Sequence, residues 1–397
     1  MKFQNVLTTV ALGCALGAGG ADSFELTATN QDALRRAGQG SVLPMPELVS
    51  NWRREPAIPI ARSVLPGPRL LFSDMPEYLG EQSGVCMAED VTPGGYRLYV
   101  YHVPGATNSP RTVSAMIENL SPRPLRVRFT RCAFPPPGTQ YAVMGVEGLI
   151  EFFTGQSLPP PLSLPPLGKE VLDRRLDETA AADPQLVHAL YEFEIDEPAR
   201  VSVFQRETNQ AGAGVFSSLE KLPRQLPGRK LSGAGRGLFP DADLAVTNAP
   251  GSVIDTSNGI QRLVLADGRS DPWVLGTDGL AGNLAVTNKG SYGVVYHVKL
   301  AYTSSDGRAL AILVAGPGRR RSGEARPMAA LEVSDGVWKG GWQKITGGAG
   351  ARERGAVAVV QELAPPARGT TNFVELVYSP PGGSSLPTPI FFAPFWQ

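Results

Sequence analysis

The sequence predicts a mainly β protein with two β-sandwich domains, and three observations support that prediction. The chain has 397 residues, too many for one ordinary core and suited to two domains. Its 45 glycines and 36 prolines favour many turns and short strands over long helices. Short segments of alternating apolar and polar residues recur along the chain, each bounded by glycine, proline or asparagine.

The first 25 residues, MKFQNVLTTVALGCALGAGGADSFE, are typical of an export signal: one lysine, an apolar run and then small residues. We expect a signal peptide over residues 1–21 and a mature chain in the cell envelope, in the periplasm or at the cell surface. Cys14 follows ALG, which faintly resembles a lipobox and makes Cys14 a candidate for lipidation. No later segment reaches the roughly 20 apolar residues of a membrane span, so none is expected in the mature chain.

Residues 22–65 mix proline and charge with little periodicity, which predicts an extended N-terminal arm. Strand patterns begin at RLLFSD and continue to about residue 206, so residues 66–206 are predicted to form the first sandwich. One segment there, YAVMGVEGLIEFFTG (141–155), has helical spacing instead. Its apolar face is predicted to consist of Val143, Val146, Ile150 and Phe153, in one short helix.

Residues 207–237 are rich in glycine, serine and proline, a linker composition. Residues 238–397 carry eight short strand patterns, which suit a second, immunoglobulin-like sandwich. The pentapeptide LAVTN occurs at 244–248 and again at 284–288, but the residues that follow agree poorly, so a propeller repeat is not supported. Its asparagine instead predicts a tight turn at a strand end, as in SAMIEN of the first domain.

Composition and motifs disfavour several classes of function. Lysine plus arginine equals aspartate plus glutamate, at 37 each, so no overall charge favours nucleic-acid binding. The sequence contains no G-x-S-x-G, H-E-x-x-H, P-loop or strand-bound dinucleotide motif. Any catalytic triad or histidine-based metal centre must therefore use the three histidines His102, His188 and His297.

The histidines allow two interpretations. Each lies in a strand pattern, where a packed ring satisfied by one hydrogen bond is the common arrangement. Alternatively His102 and His188, both in the first domain, meet as copper ligands, helped by a tyrosine or by Cys86. In the mature chain Cys86 and Cys132 remain, and an oxidising compartment favours a disulfide between neighbouring strands over two buried thiols.

Other features have ordinary structural explanations beside functional ones. The acid pairs Asp241 with Asp243 and Glu192 with Glu194 lie on one strand face each, where calcium binding or acid/base chemistry competes with simple solvation. The basic loop at 318–323 is a solvated turn or a contact for an anionic polymer. The tryptophans 338, 342 and 396 stack on sugars or fill a β core.

Several segments together resemble an uncharacterised family of exported bacterial proteins, some of them joined to a copper-amine-oxidase-like N-terminal domain. The segments are PEYLGEQSGVCMAEDVTPGGYRLYVYHVPG, ENLSPRPLRVRFTR, QLVHALYEFEIDEPARVSVF, NKGSYGVVYHVKL and PPGGSSLP, and the resemblance spans most of 69–390. Where that family shows YHVN and LVHGIYD, this chain keeps His102 and His188 but has Pro104 in place of the asparagine. The two cysteines are not part of the pattern, and the family implies no settled activity.

Two functional hypotheses follow. We favour an exported structural or interaction protein of the cell envelope, an accessory component of a surface assembly such as an S-layer, whose partners are envelope proteins or a surface polymer. The alternative is a copper-binding extracellular redox enzyme, superoxide dismutase-like or amine-oxidase-like, with His102 and His188 as ligands.

Overall fold

The computed structural model describes residues 25–105, 109–208, 222–228, 232–316, 326–347, 355–384 and 386–397. The predicted signal peptide, Cys14 and the basic loop at 318–323 lie outside the described residues. Strands account for 45% of the structure and helices for 12%, which confirms the mainly β prediction.

In the described part of the chain the helices are α1 (Ala28–Arg36), α2 (Pro46–Asn51), α3 (Tyr141–Thr154) and α4 (Arg174–Glu178). The strands of the N-terminal half are β1 (Val42–Pro44), β2 (Ile60–Val64), β3 (Arg69–Ser73), β4 (Gly84–Val91), β5 (Gly94–His102), β6 (Arg111–Asn119), β7 (Leu125–Ala133), β8 (Leu162–Leu164), β9 (Lys169–Val171), β10 (Ala180–Ala181), β11 (Val187–Ile195) and β12 (Ala199–Glu207). The remaining strands are β13 (Arg236–Phe239), β14 (Asp243–Asn248), β15 (Ile254–Asp255), β16 (Gln261–Leu263), β17 (Leu275–Asp278), β18 (Leu284–Thr287), β19 (Val295–Thr303), β20 (Ala309–Ala315), β21 (Ala329–Val333), β22 (Gly341–Ile345), β23 (Ala356–Leu363), β24 (Asn372–Tyr378) and β25 (Ile390–Phe395). Two 3-10 turns lie at Thr256–Asn258 and Gly279–Ala281.

The first sandwich packs two sheets face to face. Sheet I has eight strands in the order β18-β17-β13-β3-β5-β11-β7-β8, and sheet II has the order β10-β6-β12-β4 with β9 beside β6. Strand β5 shows how the alternation builds the core: Leu98 and Val100 point toward sheet II, whereas Tyr99 and Tyr101 point away from it. The alternating strands of the sequence therefore place one face of sheet I in this core.

The second sandwich packs sheet III against sheet IV. Sheet III has the order β2-β14-β19-β24-β21-β22 with β15 beside β19, and sheet IV has the order β1-β23-β20-β25-β16. In β20, Leu310, Ile312 and Val314 enter the core shared with sheet III, and the residues between them pack against the N-terminal helices. Burial on both faces explains why β20 reads ALAILVA without a polar residue.

The two sandwiches share one continuous apolar interior. The face of sheet I that carries Tyr99 and Tyr101 is covered by helix α3 and by residues of sheets III and IV. Sheet I itself contains β13, which begins at Arg236 at the end of the segment 207–237, and β17 and β18, which follow that segment in the chain. Strands on both sides of that predicted linker thus belong to one sheet, and its described residues 222–228 run along the first sandwich through bridges such as Val85 to Arg224.

The N-terminal segment differs from the extended arm predicted for residues 22–65. It forms α1 and α2, and Leu34, Leu48 and Trp52 are buried against the outer face of sheet IV. Strand β1 pairs with β23, and β2 pairs with β14. The prediction failed because the apolar residues of this segment are spaced irregularly. Their burial depends on contact with sheet IV, which the local sequence pattern does not show.

Helix α3 confirms the predicted helix at 141–155, but its buried face is offset by about one residue. The structure buries Met144, Val146, Leu149 and Phe152 together with Gly145 and Gly148. The glycines explain the offset, because they let the helix backbone approach its neighbours closely.

Asn288 of the second LAVTN copy and Asn119 of SAMIEN shape turns, as the sequence predicted, whereas Asn248 of the first copy bonds across the sheet to Ala301 of β19. Asn288 donates its side-chain N–H to the Tyr292 carbonyl at 2.8 Å and accepts from the Tyr292 amide at 3.2 Å. Asn119 donates to the Arg123 carbonyl at 2.7 Å and accepts from the Ser121 amide at 2.9 Å. The two LAVTN copies lie in different sheets, III and I, so the pentapeptide is a local feature of two separate strand ends.

Within the described residues, no helix has both the length and the apolar character needed to cross a membrane.

Candidate ligand-binding site

His102, one of the two predicted copper ligands, is buried and uses both ring nitrogens in hydrogen bonds. Nδ1 donates to the Pro76 carbonyl at 2.9 Å, which leaves Nε2 to accept from the Ser73 hydroxyl at 2.8 Å. Burial lowers the pKa of His102 to about 4, so the ring is neutral at pH 7. This is the packed, satisfied histidine that the sequence analysis weighed against a metal ligand.

His188 lies on the other face of sheet I. It is paired with Tyr101 across β11 and β5, whereas His102 is paired with Val187, and successive residues of a strand point to opposite faces. The His188 Nδ1 donates to the Val100 carbonyl at 3.0 Å, and Nε2 is buried without a partner beneath Gly148 of helix α3. The structure therefore does not bring His102 and His188 together. His297, the third histidine, is exposed on β19.

The predicted disulfide between Cys86 and Cys132 is not formed, and both cysteines are free and buried. Cys86 lies on β4 of sheet II and Cys132 on β7 of sheet I, so their strands are not neighbours as the prediction required. Burial raises the pKa of each thiol to about 12. Among the described residues no group of three or more His, Cys, Asp or Glu side chains is arranged to hold a metal ion.

Three of the four carboxylates in the predicted acid pairs form ion pairs. Glu192 and Asp243 meet at Arg97, a buried side chain that spans the junction of the sandwiches with N···O distances of 2.8 and 2.9 Å. Glu194 instead pairs with Arg128 at the surface. Glu192 and Asp243 hold the junction together, Glu194 forms an exposed pair, and none of the three lines the pocket described next.

A cavity of about 260 Å³ opens where the two sandwiches meet, and we call it the tyrosine pocket. Its lining residues come from five separate parts of the chain. The lining residues are Asp74, Glu77, Tyr99, Tyr101, Gly233, Ala234, Lys289, Tyr292, Gly382 and Gly383.

Each part of the tyrosine pocket is placed by a local structural cause. Asp74 and Glu77 follow directly after β3, and Tyr99 and Tyr101 lie on one face of its neighbour β5. Lys289 and Tyr292 belong to the turn that Asn288 shapes. The sequence analysis did not identify these residues.

The tyrosine pocket has a buried carboxyl, that of Asp74, which is 6% exposed. Its Oδ2 accepts from the Ala234 amide at 2.6 Å, and its Oδ1 is buried with no hydrogen-bond partner. Burial raises the pKa of Asp74 well above its ordinary value, and the nearby charge of Glu77 raises it further. Glu77 is held by a 2.7 Å hydrogen bond from the Ser232 hydroxyl.

The tyrosine hydroxyls form the facing wall. Tyr99 and Tyr101 stack with ring centroids 6.1 Å apart, and Tyr99 lies 6.5 Å from Tyr292. The Tyr101 hydroxyl is buried without a partner. Burial raises the pKa of both Tyr99 and Tyr101 well above the ordinary range, so both hydroxyls stay protonated.

Glycine is required where the loop after β24 closes over these tyrosines. A Cβ on Gly382 would overlap the Tyr99 hydroxyl and the Tyr101 ring. On the other side of the same loop, a Cβ on Gly145 of helix α3 would overlap the Gly382 carbonyl. The loop is therefore clamped between the helix and the tyrosines, which accounts for the two adjacent glycines of PPGGSSLP.

Three of the five segments quoted for the family resemblance supply lining residues of this pocket. YRLYVYHVPG supplies Tyr99 and Tyr101, NKGSYGVVYHVKL supplies Lys289 and Tyr292, and PPGGSSLP supplies its glycines. QLVHALYEF supplies His188, whose ring lies 5.0 Å from Tyr99 and 5.4 Å from Tyr101 and supports both.

A larger groove of about 500 Å³ lies on sheet II, beside the β17–β18 hairpin. Its charged side chains include two ion pairs, Arg200 with Asp90 at 2.6 Å and Lys169 with Glu118 at 3.1 Å. Glu89, which accepts a 2.7 Å hydrogen bond from the Gly279 amide, has its pKa raised to about 7, chiefly by burial. Because these groups have protein partners, a ligand in the groove would gain fewer new hydrogen bonds and ion pairs than a ligand in the tyrosine pocket.

Comparisons with known proteins add no family. No family model matches the chain, and no curated protein matches it. A solved structure, the CUB1-EGF-CUB2 domain of human MASP-1/3, aligns over 78% of this chain and 99% of its own at 8% identity with a TM-score of 0.19. A score that low establishes no common fold, so the function is argued from the pocket itself.

Proposed function

We propose that this chain is an exported recognition protein of the cell envelope, an accessory component of a surface assembly, and that it binds a small polar group of its partner in the tyrosine pocket. The observation that carries the proposal is the pair of buried, partnerless polar atoms on the pocket wall, Asp74 Oδ1 and the Tyr101 hydroxyl. The partner is an envelope protein or a surface polymer that displays the polar group.

Unsatisfied polar atoms support a binding role because they are costly. A buried donor or acceptor without a partner destabilises the folded state by about 1–3 kcal/mol, so such atoms are usually paired. Here two of them line one cavity formed by distant parts of the chain. A ligand that satisfies both would recover that free energy on binding.

The chemistry of the pocket favours recognition over catalysis. Tyr99 and Tyr101 have raised pKa values, which keeps their hydroxyls protonated and makes them poor bases or nucleophiles. No histidine or cysteine is among its lining residues. Copper redox chemistry through His102 and His188 has no supporting geometry, since the two side chains occupy opposite faces of sheet I.

The test compares envelope association of the native chain with that of Asp74→Asn, a variant of nearly the same shape. We expect the native chain to fractionate with the envelope and Asp74→Asn to lose at least about tenfold of that association, the equivalent of about 1.4 kcal/mol. Asp90→Asn is the matched control, because Asp90 is an exposed partner of Arg200 on sheet II. A native chain that is recovered as a free monomer, or an Asp74→Asn variant that associates like Asp90→Asn, would contradict the proposal.

A further inference from the structure

We infer that the group recognised in the tyrosine pocket is a primary ammonium, held between the carboxylates of Asp74 and Glu77 with the Tyr101 hydroxyl as a third acceptor. The inference rests on the proposed function and names the chemical class of its ligand.

The positions of the acceptors are the first argument. An ammonium has three N–H donors and no acceptor, so it needs several oxygens around one point. Asp74 Oδ1 is a buried acceptor without a partner, and Glu77 lines the same cavity. A tyrosine hydroxyl has lone pairs as well as a proton, so the partnerless Tyr101 hydroxyl accepts from the same group.

Charge is the second argument. Asp74 and Glu77 repel each other when both are ionised, and a bound cation removes that repulsion. An anion would meet two carboxyl groups and is disfavoured. The rings of Tyr99 and Tyr292 stand beside the carboxyls, and aromatic rings attract cations through their negative faces.

Lys289 is the lining residue that opposes the inference. It is exposed, so water screens its repulsion of a bound cation. If the ligand is an ammonium, Lys289→Gln should strengthen binding about two- to fivefold, since it removes a like charge from the rim. If the ligand were an anion, the same variant would weaken binding.

Binding should also depend on pH, because the Asp74 carboxyl must ionise to hold the cation. The groups that face it are Glu77 from the same loop, Tyr99 and Tyr101 from β5, and Lys289 and Tyr292 from the Asn288 turn. Burial and the nearby Glu77 raise the pKa of Asp74 well above its ordinary value, and an alkylammonium keeps its charge below about pH 10. Affinity should therefore rise as the pH increases toward the raised pKa of Asp74 and should not fall before the amine loses its proton.

The experiment measures binding of three small probes to the full mature chain at about pH 5 and about pH 8. The probes are butylamine, butan-1-ol, which has the same shape without the charge, and butyltrimethylammonium, which keeps the charge without N–H donors. We expect butylamine to bind at least about tenfold more tightly than either of the others, and more tightly at the higher pH. Asp74→Asn should remove most of the affinity and most of the pH dependence, and Tyr101→Phe should weaken binding in a chain that keeps its carboxyls.

The outcomes separate the inference from the function on which it rests. Equal binding of butylamine and butan-1-ol, or no binding of any probe by a native chain whose envelope association still needs Asp74, would overturn the ammonium and leave the recognition function standing. Tightest binding of butyltrimethylammonium would also overturn it, since the rings alone would then account for recognition. Envelope association that ignores Asp74 would remove the recognition function itself.

Discussion

Asp74 is a side chain of the tyrosine pocket that lowers the stability of the folded chain. The carboxyl is buried, one of its oxygens has no partner, and Glu77 adds repulsion. Residues that bind or react often carry such strain, because the surrounding fold is stable enough to tolerate it. A substitution that removes the Asp74 charge should therefore stabilise the folded chain and weaken its binding.

We expect Asp74→Asn to unfold at a higher urea concentration than the native chain at about pH 7, by roughly 1 kcal/mol or more in the free energy of unfolding. The folded-state pKa of Asp74 is raised, so above the unfolded value of about 3.9 the unfolded chain releases this proton first. The native chain thus loses stability as the pH rises from about 4, and the advantage of the variant should grow over the same range. Urea titrations at about pH 4 and about pH 7 test this prediction. A stability difference between Asp74→Asn and the native chain that is constant or shrinks as the pH rises would contradict it.

At the scale of the element, the sequence predicted most of what depends on local pattern. The alternating segments became strands and 141–155 became helix α3, because period and turn residues are local properties. The contacts between strands that are distant in the chain are not local properties. Cys86 and Cys132 each have a convincing strand pattern, but which of two facing sheets a strand joins is decided by long-range pairing. The tyrosines of β5 read as core residues, and the turn that completes their pocket is almost 200 positions along the chain.

The loop at Gly382 packs so closely against helix α3 that the helix needs a glycine at position 145. We expect Gly145→Ala to lower the free energy of unfolding by at least about 1 kcal/mol, although alanine favours helices by about that amount over glycine. The reason is that a Cβ there would overlap the Gly382 carbonyl and lie 2.6 Å from the Gly382 nitrogen. Gly38→Ala is the control, because nothing lies within 4 Å of a Cβ at that position. Equal stability of the two variants in urea titrations would show that the loop moves aside freely.

At the scale of the whole molecule, a buried arginine joins the two sandwiches. Arg97 of sheet I donates to Asp243 and to the carbonyls of Ala242 and Gly293 from the second sandwich, at 2.9, 3.1 and 3.0 Å, as well as to Glu192 beside it. The neighbouring tyrosine pocket uses residues of both sandwiches. Its shape consequently depends on how firmly this junction is held.

We expect Arg97→Met to destabilise the chain by about 3–5 kcal/mol, because it leaves two carboxylates without their shared cation in a buried place. Arg128→Ala breaks a surface pair with Glu194 and should cost no more than about 1 kcal/mol. Thermal and urea unfolding of both variants measure the difference. Comparable losses in the two would mean that the junction is not held by this arginine.

Strand β2 lies at the outer end of sheet III, where Val64 pairs with Leu244. Nearly the whole of the first sandwich is threaded between those two partners. During synthesis the ribosome therefore delivers β2 and the N-terminal helices long before the surface that buries them exists. Such distant pairings are slow to form, and the early segment stays available to proteases and chaperones until the second sandwich closes on it. A chain that must cross a membrane before it folds would profit from that delay.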